Sequence, residues 1–132
     1  MNNISKIIPI TEQNWPIESK PILTIFSWVF NHKNYIRESV ESILSQKTNF
    51  KVEIILHDDA SSDGSKEIIL EYEKKHPRLF KNILQKKNQY SQGKSLTNSL
   101  FKKSKGKYIA LMHGDDYWID DLKLQKQYDF MI

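Results

Sequence analysis

The sequence predicts an α/β protein, an open and mostly parallel sheet with helices on both faces. Three observations predict it. Residues 22–28 and 51–57 are short apolar runs rich in β-formers, unbroken rather than alternating, as in strands buried on both faces. Segments with apolar residues at helical spacing separate the strand-like runs. Strands therefore alternate with helices, which implies parallel pairing and right-handed crossovers.

Residues 1–21 read as an irregular arm, and residues 22–132 as the domain. Within the arm, Ile7-Ile8-Pro9-Ile10 suits a short edge strand, because proline cannot donate to a central ladder. Residues 22–28 form the first strand. Asn34 is placed to cap a helix over 35–46 whose apolar stripe is Ile36, Val40, Ile43 and Leu44. Residues 51–57 (KVEIILH) form the second strand. Asp58-Asp59-Ala60-Ser61-Ser62-Asp63-Gly64 is a turn that also supplies helix caps. A helix over 65–75 turns Ile68, Ile69 and Tyr72 inward and ends before Pro77. Residues 80–84 are a weak third strand, and 88–93 a loop. A helix over 94–104 carries Leu96, Leu100 and Phe101 as its stripe, with Gly106 where a C-cap glycine belongs. Residues 107–112 (KYIALM) form a fourth buried strand. After a loop over 113–117, Asp120 caps a last helix running through Leu124 and Tyr128. The closing Asp129-Phe130-Met131-Ile132 is apolar helix, so a further segment or a partner is expected to complete the unit.

The 132 residues, 39% hydrophobic and 27% charged, make one domain with a core that needs no staples. Lys+Arg at 20 against Asp+Glu at 16 leaves +4, with acids interleaved and Arg37 and Arg78 the only arginines. That argues against a nucleic-acid binder, which clusters arginine on one face. It leaves attraction to anionic lipid or phosphorylated ligands open. The absence of cysteine excludes disulfides, thiolate–zinc sites and thiol catalysis. The longest apolar run, 22–30, is too short to span a bilayer, and residues 1–21 lack a signal-peptide pattern. A cytoplasmic protein is the expectation, with peripheral attachment at the inner face of the plasma membrane as its variant. Self-association is left undecided.

Ligands of open parallel sheets bind beyond the carboxyl ends of the strands. There the sequence places Trp28-Val29-Phe30-Asn31-His32, then Asp58-Asp59 with Ser61, Ser62 and Asp63, then His113-Gly114-Asp115-Asp116-Tyr117-Trp118. No G-x-G-x-x-G follows the first strand, which argues against a dinucleotide site. Gly93-Lys94-Ser95 mimics a P-loop tail but lacks its leading glycine and strand. Carboxylates repel phosphate yet hold Mg²⁺ or Mn²⁺, which in turn holds phosphate. Asp115 and Asp116 are oxygen ligands of that kind, and the cation would stabilise a departing diphosphate. Asp59 can accept a ring N–H and so read uracil, thymine or guanine, with Phe30 or Trp28 stacking on the base. Read alone, Asp58 and Asp63 suit turn and cap roles, Trp118 suits packing, and His57 and His113 suit structural or tuning roles. Lys102, Lys103, Lys105 and Lys107 suit a solvated helix end.

From Pro21 onward the chain resembles the nucleotide-sugar-binding half of a GT-A, Rossmann-like glycosyltransferase of the family 2 type. The resemblance rests on residues 23–31 (LTIFSWVFN), 35–46 (YIRESVESILSQ), 53–65 (EIILHDDASSDGS), 93–98, and 106–118 (GKYIALMHGDDYW) running into 122–130. It implies that Asp59 reads the base, that Asp115 lies near the ribose, and that Asp116 ligates the metal. It implies further that Trp28 and Phe30 line the base pocket and that Gly93 and Lys94 approach the ribose or diphosphate. The implied donor is a nucleoside-diphosphate sugar, UDP-linked by preference. The implied acceptor is a glycan or lipid-linked hydroxyl of a bacterial surface polysaccharide, glycosylated with inversion. The sequence departs from the family at Ser27-Trp28-Val29-Phe30, where a proline and a tyrosine are usual, and at Thr97, where an arginine is usual. The family's general base lies downstream of residue 132, so no catalytic base is assigned here.

Two other readings meet the sequence only in part. A magnesium-binding receiver module needs an acidic pair after its first strand and an aspartate after its third, and neither is present. A degenerate domain that binds nucleotide and serves assembly would keep donor binding and lose transfer.

Overall fold

The computed structural model describes residues 6–94 and 97–132. Its centre is a four-stranded sheet in the order β5-β4-β2-β6, formed by β2 (Leu23–Val29), β4 (Val52–Asp58), β5 (Ile83–Leu84) and β6 (Tyr108–His113). Every pairing in it is parallel. A two-stranded antiparallel ribbon joins β1 (Ile8–Pro9) to β3 (Lys47–Thr48), so the proline of the arm does lie in a short edge strand.

Side chains alternate across the sheet, and the two faces are covered unequally. Ile25, Val29, Ile54 and Leu56 point to one face. They meet Ile36, Val40, Ile43 and Leu44 of α1 (Ile36–Leu44) and Ile68, Ile69 and Tyr72 of α2 (Ser65–Lys75). The apolar stripes expected for both helices are thus the buried ones. Phe26 and Ile55 point to the other face and meet Leu100 of α3 (Thr97–Lys103), with Trp28, Ile83 and Ile109 packed around them. Phe101, expected in the α3 stripe, is 72% exposed, because among the described residues of α3 it is Leu100 that faces the sheet. Leu96 lies outside the described residues.

The fourth strand is an edge strand and is only partly covered. Met112 is its one buried residue, and Leu111 is 55% exposed. The expectation of a strand buried on both faces fails here because nothing described pairs with its outer side. The expected third strand shrinks to Ile83–Leu84, with an isolated bridge from Phe80 to Ile54.

Helix ends also differ in detail. Asn34 is exposed and does not cap α1. The flanking residue is Tyr35, and His32 O accepts the Tyr35 and Ile36 amides at 2.9 and 2.8 Å. Asp63 does serve α2, accepting the Ser65 amide at 3.0 Å beside Gly64 at φ 103°. Gly106 is not a helix C-cap. It lets the chain pass β2, since a Cβ there would lie 2.4 Å from the Thr24 backbone nitrogen. α4 (Lys123–Met131) follows Asp120, whose Oδ1 accepts the Leu122 amide. Buried Gln46 ties that helix to α1, donating to Asp120 O at 2.7 Å and accepting from Leu124 N at 3.1 Å.

Candidate functional site

Register brings three loops to one edge. Trp28 stands level with His57 of β4 and His113 of β6, so β2, β4 and β6 end together. The chain runs outward from β2 through β4 to β5 and then crosses to β6 on the other side of β2. The crevice beyond these ends therefore lies where the strand order reverses.

The first two loops are stitched by side chains. Asn31, at φ 54°, donates its amide to Ser61 Oγ at 2.9 Å and accepts the Ser62 amide on Oδ1 at 2.8 Å. A left-handed backbone is tolerated by asparagine, so the residue both bends the chain and bonds across it. Asp63 Oδ2 accepts the Lys33 amide at 3.0 Å. Burial alone would raise the Asp63 pKa, but bonds from Ser65 Oγ, the Lys33 amide and the Ser65 amide hold it below the usual carboxylate value. Asp58 is fully buried, and its Oδ2 accepts the Ser61 amide at 3.1 Å. The turn and cap roles expected for Asp58 and Asp63 are those observed.

Asp59 is 4% exposed and holds a third segment in place. Its Oδ1 accepts the Gln89 amide at 2.7 Å and its Oδ2 the Tyr90 amide at 3.1 Å. Its carbonyl accepts Asn88 Nδ2 at 2.9 Å. The carboxylate thus anchors the short 3-10 turn Tyr90–Gln92, which Gly93 closes at φ 71°. Gly93 and Lys94 follow directly, both exposed, so Asp59 and the Gly93-Lys94 loop are brought together.

The aromatic candidates separate. Trp28 is committed to packing, with its ring edge-on to Phe26 at 5.1 Å and tilted over His113 at 5.4 Å. Its Nε1 is buried without a partner among the described residues. Phe30 is 46% exposed and keeps a free ring face. Trp118 packs on the core and donates its amide to Ser42 Oγ, as expected of a packing residue.

Asp115 and Asp116 are exposed on the loop after β6. The Gly114 amide donates to Trp28 O at 2.8 Å, and the Asp116 amide to His113 O at 3.0 Å, so the turn itself is fixed. His32 Nε2 lies 4.0 Å from Asp115 Oδ2. Among the described residues no three His, Cys, Asp or Glu converge as a cage for a metal. The exposed Asp115-Asp116 pair fits instead a divalent cation held by one or two carboxylates and shared with a diphosphate.

The sequence places Asn31 and His32 in the loop after the first strand and Asn88 in a later loop, but assigns none of them a role. For Asn31 the signal was an asparagine after a buried strand, where left-handed turns are common. For His32 and Asn88 the partners are distant in sequence and no local signal exists. A cleft of about 1380 Å³ lies at the opposite edge, lined by Lys51, Arg78, Lys81 and Lys105, and it holds none of the candidate residues.

The family model for glycosyl transferase family 2 matches residues 24–132. The chain belongs to this family. It is 40% identical over 111 residues to the uncharacterized protein Rv1520 of Mycobacterium tuberculosis, covering 83% of this chain and 31% of that one. It is 32% identical over 119 residues to a putative teichuronic acid biosynthesis glycosyltransferase, TuaG, of Bacillus subtilis, covering 90% and 44%. It is 36% identical over 111 residues to WfaP of Escherichia coli, a UDP-Glc:alpha-D-GlcNAc-diphosphoundecaprenol beta-1,3-glucosyltransferase, covering 83% and 41%. The chain spans less than half the length of these relatives. Among solved structures it resembles Staphylococcus aureus TarS in complex with UDP-GlcNAc, with a TM-score of 0.69 at 24% identity, covering 83% of this chain and 30% of that one. It also resembles the Pyrobaculum calidifontis mannosyltransferase PcManGT in complex with GDP-Man and Mn²⁺, with a TM-score of 0.65 at 20% identity, covering 85% and 34%. The fold is thus of the GT-A type. None of the described helices is long and apolar enough to cross a membrane.

Proposed function

We propose that residues 22–132 are the donor-binding unit of an enzyme that transfers a sugar from a nucleoside-diphosphate sugar, UDP-linked by preference, to an acceptor hydroxyl with inversion. The observation that carries this is the meeting of Asp59, Phe30 and Asp115-Asp116 at one edge of a sheet whose three central strands end in register. Two relatives support the uridine preference, since WfaP is named for UDP-Glc and TarS is in complex with UDP-GlcNAc.

Asp59 reads the base. Each of its oxygens accepts one backbone N–H and retains a second acceptor direction, which suits the imide N–H of uracil. Phe30 offers the stacking face, and Trp28 backs the pocket from within the sheet. Gly93 and Lys94 approach the ribose or diphosphate. Asp115 accepts from a ribose hydroxyl, and Asp116 would hold a Mg²⁺ or Mn²⁺ ion. That ion would supply Lewis-acid stabilisation of charge on the departing diphosphate. The acceptor hydroxyl attacks the anomeric carbon from the face opposite the diphosphate. The bond to the diphosphate breaks as the new glycosidic bond forms, and the hydroxyl proton goes to a base outside these residues. The name of WfaP supports a lipid-linked acceptor, and such an acceptor would place the protein at the inner face of the membrane.

Calorimetric titration of UDP, GDP and dTDP, with and without Mn²⁺, tests the reading. We expect Mn²⁺-dependent binding of UDP above the other two, with base preference relaxed in Asp59→Ala. Folded protein that binds no nucleotide would refute it.

A further inference from the structure

His32 is tied down more firmly than a loop residue beside an open edge needs to be. Its amide donates to Ser65 Oγ at 3.0 Å, and Ser65 Oγ donates to Asp63 Oδ1 at 2.7 Å. Its carbonyl accepts the first amides of α1. The backbone is thus fixed to both flanking helices.

The ring is fixed as well. The Phe30 amide donates to His32 Nδ1 over a long 3.4 Å, which makes Nδ1 the acceptor and leaves the proton on Nε2. A Cβ on Gly114 would lie 2.6 Å from Nδ1 and 3.1 Å from Val29 Cγ2. The ring therefore lies against the backbone of the residue before Asp115, in space that only glycine leaves. Gly114 is in turn bonded to Trp28 O. The His32 side chain is 21% exposed, whereas Asp115 is 52% exposed and has no other ion-pair partner among the described residues. One partner is fixed and the other is free to rotate. At 4.0 Å, a small rotation of Asp115 brings its Oδ2 within reach of the Nε2–H.

We propose that His32 is a positioning residue, which orients the Asp115 carboxylate toward the donor's ribose and so sets discrimination between ribose and deoxyribose nucleotides. The inference rests on the donor-site reading above. An acceptor held in one orientation favours the ligand hydroxyl that matches it, and the same carboxylate left to rotate favours it less. A histidine that served only packing would affect ribose and deoxyribose ligands alike.

The test is calorimetric titration of the chain with UDP, 2′-deoxy-UDP and 3′-deoxy-UDP in the presence of Mn²⁺. For the wild type we expect UDP to bind at least about fivefold more tightly than one of the analogues, as a single well-placed hydrogen bond allows. His32→Ala brings that ratio to within about twofold and leaves the affinity for the analogue unchanged. His32→Gln, whose amide N–H₂ reaches the place of Nε2–H, restores the ratio. His32→Met, of the same length without a donor, does not, and this pair decides the matter if the alanine variant fails to fold. A ratio unchanged in His32→Ala and His32→Met overturns the proposal while leaving the donor site intact. Equal losses for UDP and the analogues also overturn it, because they mark a purely structural role. No UDP binding by the wild type refutes the donor-site reading and this inference with it.

Discussion

At the amino ends of β2 and β4, Glu53 is 5% exposed and its Oε2 accepts both Thr24 Oγ1 at 2.6 Å and the Lys105 amide at 2.7 Å. Thr24 Oγ1 accepts the Gly106 amide at 2.8 Å, which completes a closed set of bonds. At the carboxyl ends of the same strands, Asp115 and Asp116 stand in solvent, Phe30 exposes its ring, and Asn31 and Ala60 adopt left-handed backbone conformations. At the amino ends Glu53, Thr24, Lys105 and Gly106 bond one another, whereas at the carboxyl ends Asp115 and Asp116 stay exposed. An acidic residue at a strand end is thus stabilising at one edge and available for chemistry at the other. Burial and partners decide which, and residue type does not. Asp59 does both, since it is buried and bonded yet sits at the open edge.

Substitutions can break or sharpen this contrast. The largest effect is expected at Gly106, where a side chain would meet backbone that cannot move aside. Gly106→Val should cost about 3 kcal/mol or more, read as a lower urea midpoint. Glu53→Leu strands the buried Thr24 hydroxyl, removes the acceptor of the Lys105 amide, and should cost about 1–3 kcal/mol by the same measurement. At the other edge, Asp116→Ala should leave the urea midpoint unchanged and reduce Mn²⁺-dependent UDP affinity about tenfold or more, a loss of about 1.4 kcal/mol.

A smaller effect comes from His57. Burial pushes its imidazole below the ordinary 6.5, only partly opposed by the Asp59 charge, the bond to its own backbone, and the Asp58 charge. Below 6.5 the unfolded chain binds a proton that the native chain does not, so stability falls as pH drops through that window and is fully present above it. Urea midpoints on either side of 6.5 should show this slope, and His57→Gln should flatten it. The smallest effect is at Phe101, 72% exposed, where Phe101→Ser should shift the midpoint by under about 0.5 kcal/mol.

The central strands were legible because a strand buried on both faces must be apolar throughout, as at Ile25, Phe26, Ile54 and Ile55. The α1 and α2 stripes were legible because their periodicity has one solution. The β6 strand was legible too, but its burial was not, since its apolar residues read the same whether a neighbour covers them or not. Gly106 shows a different limit. A glycine after a helix suggests a cap, and only the passage of Thr24 reveals that the need is for close approach. In the site, the carboxylates and Phe30 could be found from their places after strands. That Asp59 grips the Gln89 and Tyr90 amides could not, because those partners lie 30 and 31 residues away. His32 was placed at this edge by its loop, but its contacts with Ser65 and Gly114 were not legible for the same reason.

One titration bears most directly on the open edge. UDP is titrated in Mn²⁺ into wild type and Asp116→Ala, with the urea midpoint of each recorded alongside. Metal-dependent binding in the wild type, lost in a variant of unchanged stability, is the expected result. Equal binding by the two proteins, or a wild type that folds and binds no UDP, would contradict the assignment of this edge as the donor site.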